Sequence, residues 1–265
     1  MDNILLGLMQ GLTEFLPVSS SGHLVILHSV FGSSEHDLAF DAVLQLATVL
    51  AVIIYFRKDI LTLMNAVLRQ LGRLPVNEKE LALAYALMVG TIPAIILGLL
   101  LESYMETIFR NPLLVAGVLI VGSILFMYAE WHYVNNKREE TITLSKGFKI
   151  GLFQCLALVP GMSRSGASIV GGMLFGLTRA EAARFSFLLA VPIIAGSGLK
   201  KVFDLLMANG AVNWGELAIA GTVAFFSGLI AIHFMLAFVR RYSLWPFIWY
   251  RIILATVVIV AVYFG

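Results

Sequence analysis

Residues Gly7–His23, with the sequence GLMQGLTEFLPVSSSGH, are repeated in altered form by GLFQCLALVPGMSRSGA at Gly151–Ala167. When Gly151 is aligned on Gly7, the copies share the pairs Gly7/Gly151, Leu8/Leu152, Gln10/Gln154, Leu12/Leu156, Ser19/Ser163, Ser21/Ser165 and Gly22/Gly166. Each copy interrupts an apolar segment with a proline and a cluster of serine and glycine. Proline removes a backbone donor, and the opened helix is tolerated in a bilayer only where protein or trapped water covers it. The repeat therefore predicts two interrupted helices buried at membrane depth.

The composition of the chain is that of a polytopic membrane protein. Of its 265 residues, 60% are hydrophobic and 13% are charged, whereas soluble domains carry about 25% charged residues. The net charge of +2 and the lack of a basic stripe in the sequence argue against a nucleic-acid partner. The single cysteine, Cys155, excludes an internal disulfide. The N-terminal residues lack the features of a signal peptide, so we predict one membrane domain over residues 1–265.

Apolar runs outside the repeated stretches have the length that a spanning helix needs, which is about 20 residues. We predict six spans, at roughly 38–56, 83–101, 113–131, 182–199, 217–238 and 247–264. The two regions that contain the repeated stretches, 1–31 and 148–177, are each predicted to be a helix–turn–helix that enters and leaves on the same side.

Basic residues set the predicted orientation, because cytoplasmic loops are enriched in lysine and arginine. They concentrate in the predicted loops 57–80, 132–149 and 239–246, which we place in the cytoplasm. The six spans then alternate consistently only if one interrupted region enters from outside and the other from inside. We therefore predict an all-α polytopic membrane protein of two inverted-topology repeats, about 1–131 and 148–265. Each repeat contains a re-entrant helix hairpin followed by three transmembrane helices.

Ionisable residues inside the interrupted helices predict a functional site, because charges at membrane depth are costly and rarely only structural. The first copy carries Glu14 and His23, and the second carries Arg164 between Ser163 and Ser165. A guanidinium together with N–H groups at broken helix ends forms an anion site, and phosphate is its usual ligand. Histidine with serine or glutamate supplies a nucleophile and an acid–base group.

Gln10 lies one helical turn before Glu14, which places two oxygen ligands on one helix face. This pair predicts a site for a hard divalent cation, Mg²⁺ first and Ca²⁺ as the alternative, that bridges to phosphate oxygens. Together the groups indicate phosphoryl chemistry on an amphiphile whose tail lies in the bilayer.

Simpler interpretations of the same residues stay open. Glu14 could be protonated and hydrogen-bonded, and the serine–glycine clusters could serve only close helix packing. His28 or His36, rather than His23, could supply the relevant imidazole. His233 lies inside a predicted span, and we predict that it forms a hydrogen bond between helices rather than binding a ligand.

The two motifs resemble the signature motifs of the bacterial undecaprenyl-diphosphate phosphatase (bacitracin-resistance) family. QGLTEFLPVSSSGH at 10–23 is similar to the family's (Glu/Gln)-x-x-x-Glu motif with the Pro-Val-Ser-Ser-x-Gly-His that follows it. PGMSRSGAS at 160–168 is similar to its Pro-Gly-x-Ser-Arg-Ser-x-x-Thr motif, with Ser168 in the place of the usual threonine. The similarity continues through Phe185–Pro192 and covers essentially the whole chain. Gln10 leaves Glu14 as the only carboxylate of its pair.

The resemblance implies hydrolysis of undecaprenyl diphosphate to undecaprenyl phosphate and inorganic phosphate, which recycles the lipid carrier of cell-wall synthesis and confers bacitracin resistance. It implies a long-chain prenyl diphosphate as substrate, a location in the bacterial cytoplasmic membrane, and an active site that opens to the outer face. The sequence leaves open whether the chain forms a homodimer.

Site roles follow from the resemblance by matched position. Glu14 is expected to be a metal ligand or base supported by Gln10, and Arg164 is expected to clamp the diphosphate. Ser20 and His23 are expected to form the nucleophile and acid–base pair, and the attacking group can be either of them or water. The further groups expected to contact the substrate are Ser19, Ser21, Gly22, Ser163, Ser165 and Gly166.

Two other functions compete with hydrolysis. Inverted repeats with broken helices are also typical of secondary transporters, so a transporter or flippase of prenyl phosphate lipids is the alternative. A type-2 phosphatidic acid phosphatase is disfavoured, because the Ser-Gly-His at 21–23 is not followed by a late His near an Asp.

Overall fold

The protein is all-helical throughout the part of the chain that the structure describes. The structure, a computed structural model, describes residues 2–24, 37–101, 111–136, 141–207 and 214–264. Its helices are α1 (Asp2–Phe15), α2 (described over 20–24), α3 (Asp37–Tyr55), α4 (Arg57–Leu71), α5 (Glu78–Leu100), α6 (Pro112–Asn135), α7 (Leu144–Gln154), α8 (Arg164–Leu174), α9 (Arg179–Met207), α10 (Trp214–Val239) and α11 (Trp245–Phe264). A 3₁₀ turn, Cys155–Leu158, follows α7.

Within those ranges, five helices are long and apolar enough to cross a membrane. They are Glu78–Leu100, Pro112–Asn135, Arg179–Lys200, Trp214–Val239 and Trp245–Tyr263. They confirm five of the predicted spans and the multi-pass character of the chain. The sixth predicted span, 38–56, coincides with α3, whose described apolar part is the shorter Val43–Tyr55.

The loop predicted at 57–80 is helical over most of its length, because residues Arg57–Leu71 form α4. The charges of this segment are typical of a loop, but its apolar residues are spaced as in a helix. Leu63 and Ala66 lie three positions apart and are buried, as expected of one face of a helix. Asp59 in the first turn and Arg69 in the last complement the helix dipole. Asp59 also pairs with Arg184 of α9, which ties α4 to the helix bundle.

Both interrupted regions are broken where the prolines predict. The first region contains α1, which ends at Phe15, and α2, which begins at Ser20. The second contains α7, the 3₁₀ turn and α8. The returning part of the first region at 25–36, which includes His28 and His36, lies outside the described residues.

Glycines that the two copies share make two similar helix crossings. α1 packs along α10 at Gly7, where an added Cβ would lie 2.3 Å from the carbonyl oxygen of Ala220. α7 packs along α5 at Gly151, where an added Cβ would lie 2.2 Å from the carbonyl oxygen of Gly90. Small residues at such crossings let helix backbones approach closely. The repeated glycine is therefore explained by packing rather than by chemistry.

The hydrogen bond predicted for His233 is confirmed. Its Nδ1 lies 3.2 Å from the hydroxyl oxygen of Tyr55, which joins α10 to the end of α3.

The side chains of all four tryptophans are exposed on the protein surface. Trp214 and Trp245 begin their helices, and Trp131 lies in the last turns of α6.

Candidate active site

The two serine-rich turns share a left-handed φ at their first serine. Ser19 and Ser163, which are equivalent in the repeat, have φ values of 75° and 74°. Left-handed φ is uncommon for residues other than glycine and tends to occur at functional sites. Ser19 accepts a hydrogen bond on Oγ from the backbone N–H of Gly22 at 3.2 Å. Ser163 accepts the equivalent bond from Gly166 at 3.1 Å and caps α8. The sequence Ser-x-Ser-Gly thus builds one turn twice.

The two turns contact each other directly. The backbone N–H of Gly161 donates to Ser19 Oγ at 3.1 Å. Ser165 Oγ donates to the carbonyl oxygen of Leu16 at 3.2 Å. Within each turn, a second serine lies beside the first: the Oγ atoms of Ser19 and Ser21 are 3.3 Å apart, and those of Ser163 and Ser165 are 3.2 Å apart. The structure therefore brings together all the serines and glycines predicted to bind substrate.

The carboxylate of Glu14 accepts hydrogen bonds from side chains of both copies. Arg164 Nη2 lies 2.7 Å from Glu14 Oε1. The other oxygen, Oε2, accepts hydrogen bonds from Ser20 Oγ at 2.7 Å and from Gln10 Nε2 at 2.9 Å. Glu14 is buried, and Ser20 and Arg164 are partly exposed. Hydrogen bonds to a charged group in such a poorly solvated position are strong.

Unpartnered polar atoms flank this carboxylate. Gln10 Oε1 and Arg164 Nη1 are buried and have no hydrogen-bond partner among the described residues. Such atoms are rare in proteins and require an explanation, which a bound ligand can supply. The amide oxygen is an acceptor that suits a cation, and the guanidinium N–H is a donor that suits phosphate. Both lie beside Glu14, one on each side of it in the hydrogen-bond network.

The second copy has no counterpart of this carboxylate. Gln154 is equivalent to Gln10, but position 158, equivalent to Glu14, is leucine. Neither polar atom of the buried Gln154 side chain has a partner in the described part of the chain. The acidic group of the site therefore comes from the first copy alone.

His23 is oriented by partners other than Ser20. Its Nδ1 lies 2.7 Å from the carbonyl oxygen of Ser19, and its Nε2 lies 2.7 Å from the hydroxyl oxygen of Tyr250. A carbonyl oxygen only accepts, so Nδ1 donates, and Nε2 of the neutral ring accepts from Tyr250. The hydroxyl of Ser20 instead donates to Glu14. The structure thus brings the four predicted catalytic residues into one site, with Glu14 rather than His23 bonded to Ser20.

Sequence reasoning did not identify Tyr250 and Arg251, which both reach the site from α11. Arg251 is fully buried, and it donates to carbonyl oxygens of both turns, Pro17 and Gly161. The available signal was a charged residue inside a predicted span, which is rarely without function. Tyr250 carried no such signal, because tyrosine is common in membrane spans near the interface.

Residues 3–257 match the family described as Bacitracin resistance protein BacA. The chain belongs to this family. Curated members similar to it over nearly their whole length are named undecaprenyl-diphosphatase. The protein of Rubrobacter xylanophilus is 43% identical over 96% of this chain and 95% of its own. Those of Renibacterium salmoninarum and Alteromonas mediterranea are each 40% identical, over 98% and 97% of this chain and 95% and 96% of their own. These names favour the BacA-family phosphatase over the transporter alternative.

Proposed function

We propose that the chain hydrolyses undecaprenyl diphosphate to undecaprenyl phosphate and inorganic phosphate. The observation that carries the proposal is the convergence of Ser20 and Arg164 on Glu14 beneath two left-handed serine turns. A hydroxyl, a carboxylate and a guanidinium with one unpartnered nitrogen are the groups that phosphoryl transfer requires. The relatives named undecaprenyl-diphosphatase support this substrate.

Arg164 binds the terminal phosphoryl group in this proposal. Its Nη1 is free to donate to a phosphate oxygen while Nη2 stays on Glu14. The N–H groups at the start of α8 lie in the adjacent residues and add to the positive potential there. Charge that develops on the transferring phosphoryl group is stabilised by these donors, which are already in place before reaction.

Ser20 is the attacking group that the geometry supports best. Its Oγ donates to Glu14 Oε2 at 2.7 Å, so the carboxylate can accept the hydroxyl proton as the Oγ–P bond forms. The bond between phosphorus and the bridging oxygen then breaks, and undecaprenyl phosphate leaves. Water hydrolyses the phosphoserine and releases inorganic phosphate. His23 holds the carbonyl of Ser19 through Nδ1 and thereby the turn from which Ser20 projects.

A divalent cation, Mg²⁺ or Ca²⁺, fits one side of the carboxylate. Gln10 Oε1 is an unpartnered buried oxygen next to Glu14. Among the described residues there is no group of three or more histidine, cysteine, aspartate or glutamate side chains that could hold a metal. The residues that would hold the cation are therefore Gln10 and Glu14, with water and phosphate oxygens in its other positions. When bound, such an ion neutralises phosphate charge.

The inverted-topology repeat remains our proposal for the architecture. It is supported by the left-handed φ and the Oγ cap that Ser19 and Ser163 share, and by the matching glycine crossings of α1 with α10 and α7 with α5. With the basic segments in the cytoplasm, the chain lies in the bacterial cytoplasmic membrane, and the Glu14–His23 turn faces the outer side. Whether the chain forms a homodimer is tested by measuring the mass of the purified protein in detergent.

Phosphate release from undecaprenyl diphosphate by the purified chain tests the function. We expect Mg²⁺-dependent release that EDTA abolishes and that Arg164→Ala reduces by roughly 10²–10³-fold. Arg240→Gln changes an exposed arginine outside the site and serves as the matched control, with turnover near that of the unmodified chain. No release by folded, unmodified protein under these conditions would overturn the proposal.

A further inference from the structure

Arg251 lies behind the two serine turns and contacts both of them. Nη1 donates to the carbonyl oxygens of Pro17 at 3.4 Å and Met162 at 3.1 Å. Nη2 donates to the carbonyl oxygen of Gly161 at 3.1 Å. Pro17 and Gly161 are equivalent positions of the two copies. One guanidinium therefore links the same backbone position of both turns.

The remaining donors of Arg251 hold it to α6. Nη2 also donates to the carbonyl oxygen of Leu119, and Nε donates to Ser123 Oγ, both at 3.3 Å. The guanidinium lies over the ring of Phe126, 4.7 Å from its centroid. Gly122 gives it room, because an added Cβ there would lie 2.1 Å from Nη2. The position of the guanidinium is thus determined from every side.

The three nitrogens of the Arg251 guanidinium donate to five different oxygens, an arrangement that a lysine ammonium cannot reproduce. The side chain is 0% exposed, and every group to which it donates is a carbonyl or a hydroxyl oxygen. In the described residues it has no carboxylate partner. A buried cation without a counter-ion is costly, and the five donors of the guanidinium offset this cost by bonding carbonyl and hydroxyl oxygens. A guanidinium has a rigid fork of donors, whereas an ammonium has three donors at one point.

We propose that Arg251 is a positioning residue that fixes the distance between the two turns. This distance decides whether Ser20 of one turn and Arg164 of the other meet on Glu14. Arg251 itself does not contact the reacting groups. The proposal rests on the proposed function, since its effect is measured as phosphoryl transfer.

Arg251→Lys keeps the charge and loses the fork, so it is the first test. We expect kcat for undecaprenyl diphosphate to fall about a hundredfold, as for misplaced catalytic groups, while KM changes less than about threefold because Arg164 still binds phosphate. Gly122→Ala is an independent variant that displaces the guanidinium and substitutes none of the site residues. It should lower kcat in the same direction.

Arg179→Lys is the matched control for these variants. Arg179 is also a partly buried arginine with several contacts, since it bonds both oxygens of Glu130 and lies over the ring of Tyr133. It lies outside the site, so its conversion to lysine should lower the thermal midpoint in detergent and leave kcat of the folded protein near the unmodified value.

A double-mutant cycle separates positioning from general destabilisation. If Arg251 acts by placing Arg164 and Ser20, Arg251→Lys should cost much less in an Arg164→Lys background than in the unmodified chain. Additive losses, or a folded Arg251→Lys protein with kcat within about twofold of the unmodified chain, would overturn the proposal. An unmodified chain that releases no phosphate would instead contradict the proposed function.

Discussion

Ser20 and Arg164 stand at equivalent positions of the two repeated turns, and both donate to the same carboxylate, that of Glu14. Ser20 reaches Oε2 and Arg164 reaches Oε1, each at 2.7 Å. Equivalent positions of the two copies therefore supply a hydroxyl in one case and a guanidinium in the other. The chemical difference between the copies lies in these two side chains and in the carboxylate between them.

Removal of the Ser20 hydroxyl should distinguish attack by serine from attack by water. We expect Ser20→Ala to lower turnover by on the order of 10³-fold and to abolish the acid-stable phosphoserine that a quenched reaction with labelled substrate would yield. Ser197→Ala, which removes a hydroxyl that donates to the Ile194 carbonyl within α9, is the control. Turnover of Ser20→Ala near that of the control would assign the attack to water activated by Glu14.

Loss of the Tyr250 hydroxyl should reduce turnover by about tenfold, because one hydrogen bond contributes up to about 1.4 kcal/mol and this energy corresponds to a factor of ten. The ring of Tyr250 stacks on His23 at 5.7 Å, so Tyr250→Phe keeps this contact and removes the bond to Nε2. Tyr55→Phe removes the corresponding bond to His233 away from the site and should leave turnover unchanged. Equal turnover of the two variants would show that the orientation of His23 does not depend on Tyr250.

Substitution of Gln10 should weaken the response to the divalent cation. Gln10→Leu removes the unpartnered oxygen Oε1 next to Glu14, and we expect the Mg²⁺ concentration for half-maximal turnover to rise about tenfold. Gln154→Leu changes the equivalent residue of the second copy, where no carboxylate is present one turn later. A similar shift for both variants would contradict the assignment of Gln10 as a ligand.

The two glycine crossings should be equally sensitive to one added methyl group. Gly7→Ala and Gly151→Ala would each place Cβ within 2.3 Å of a carbonyl oxygen, and we expect each to destabilise the protein by about 1–3 kcal/mol. Gly117→Ala and Gly196→Ala are controls, because an added Cβ there has nothing within 4 Å. Thermal unfolding in detergent checks the four variants, and a midpoint of Gly7→Ala equal to that of Gly117→Ala would contradict the crossing.

The sequence was informative where a local rule decides the structure. Prolines and serine–glycine clusters predicted both helix breaks, and apolar length predicted the spans. The helix Arg57–Leu71 was missed because charge was counted there without apolar spacing. The bond of Ser20 to Glu14 and the bond of His23 to Tyr250 depend on how turns and α11 pack. No spacing within a motif can reveal the second contact, since residues 23 and 250 meet only in the folded chain.

The bond from the Gly161 N–H to Ser19 Oγ runs from the second copy to the first. The reciprocal bond would need a backbone N–H at position 17, and proline has none. If the two turn sequences exchanged places, a glycine at position 17 would donate to the serine at position 163, and the bond would run in the opposite direction. The copy that carries the proline therefore accepts this bond, and the copy that carries the glycine donates it.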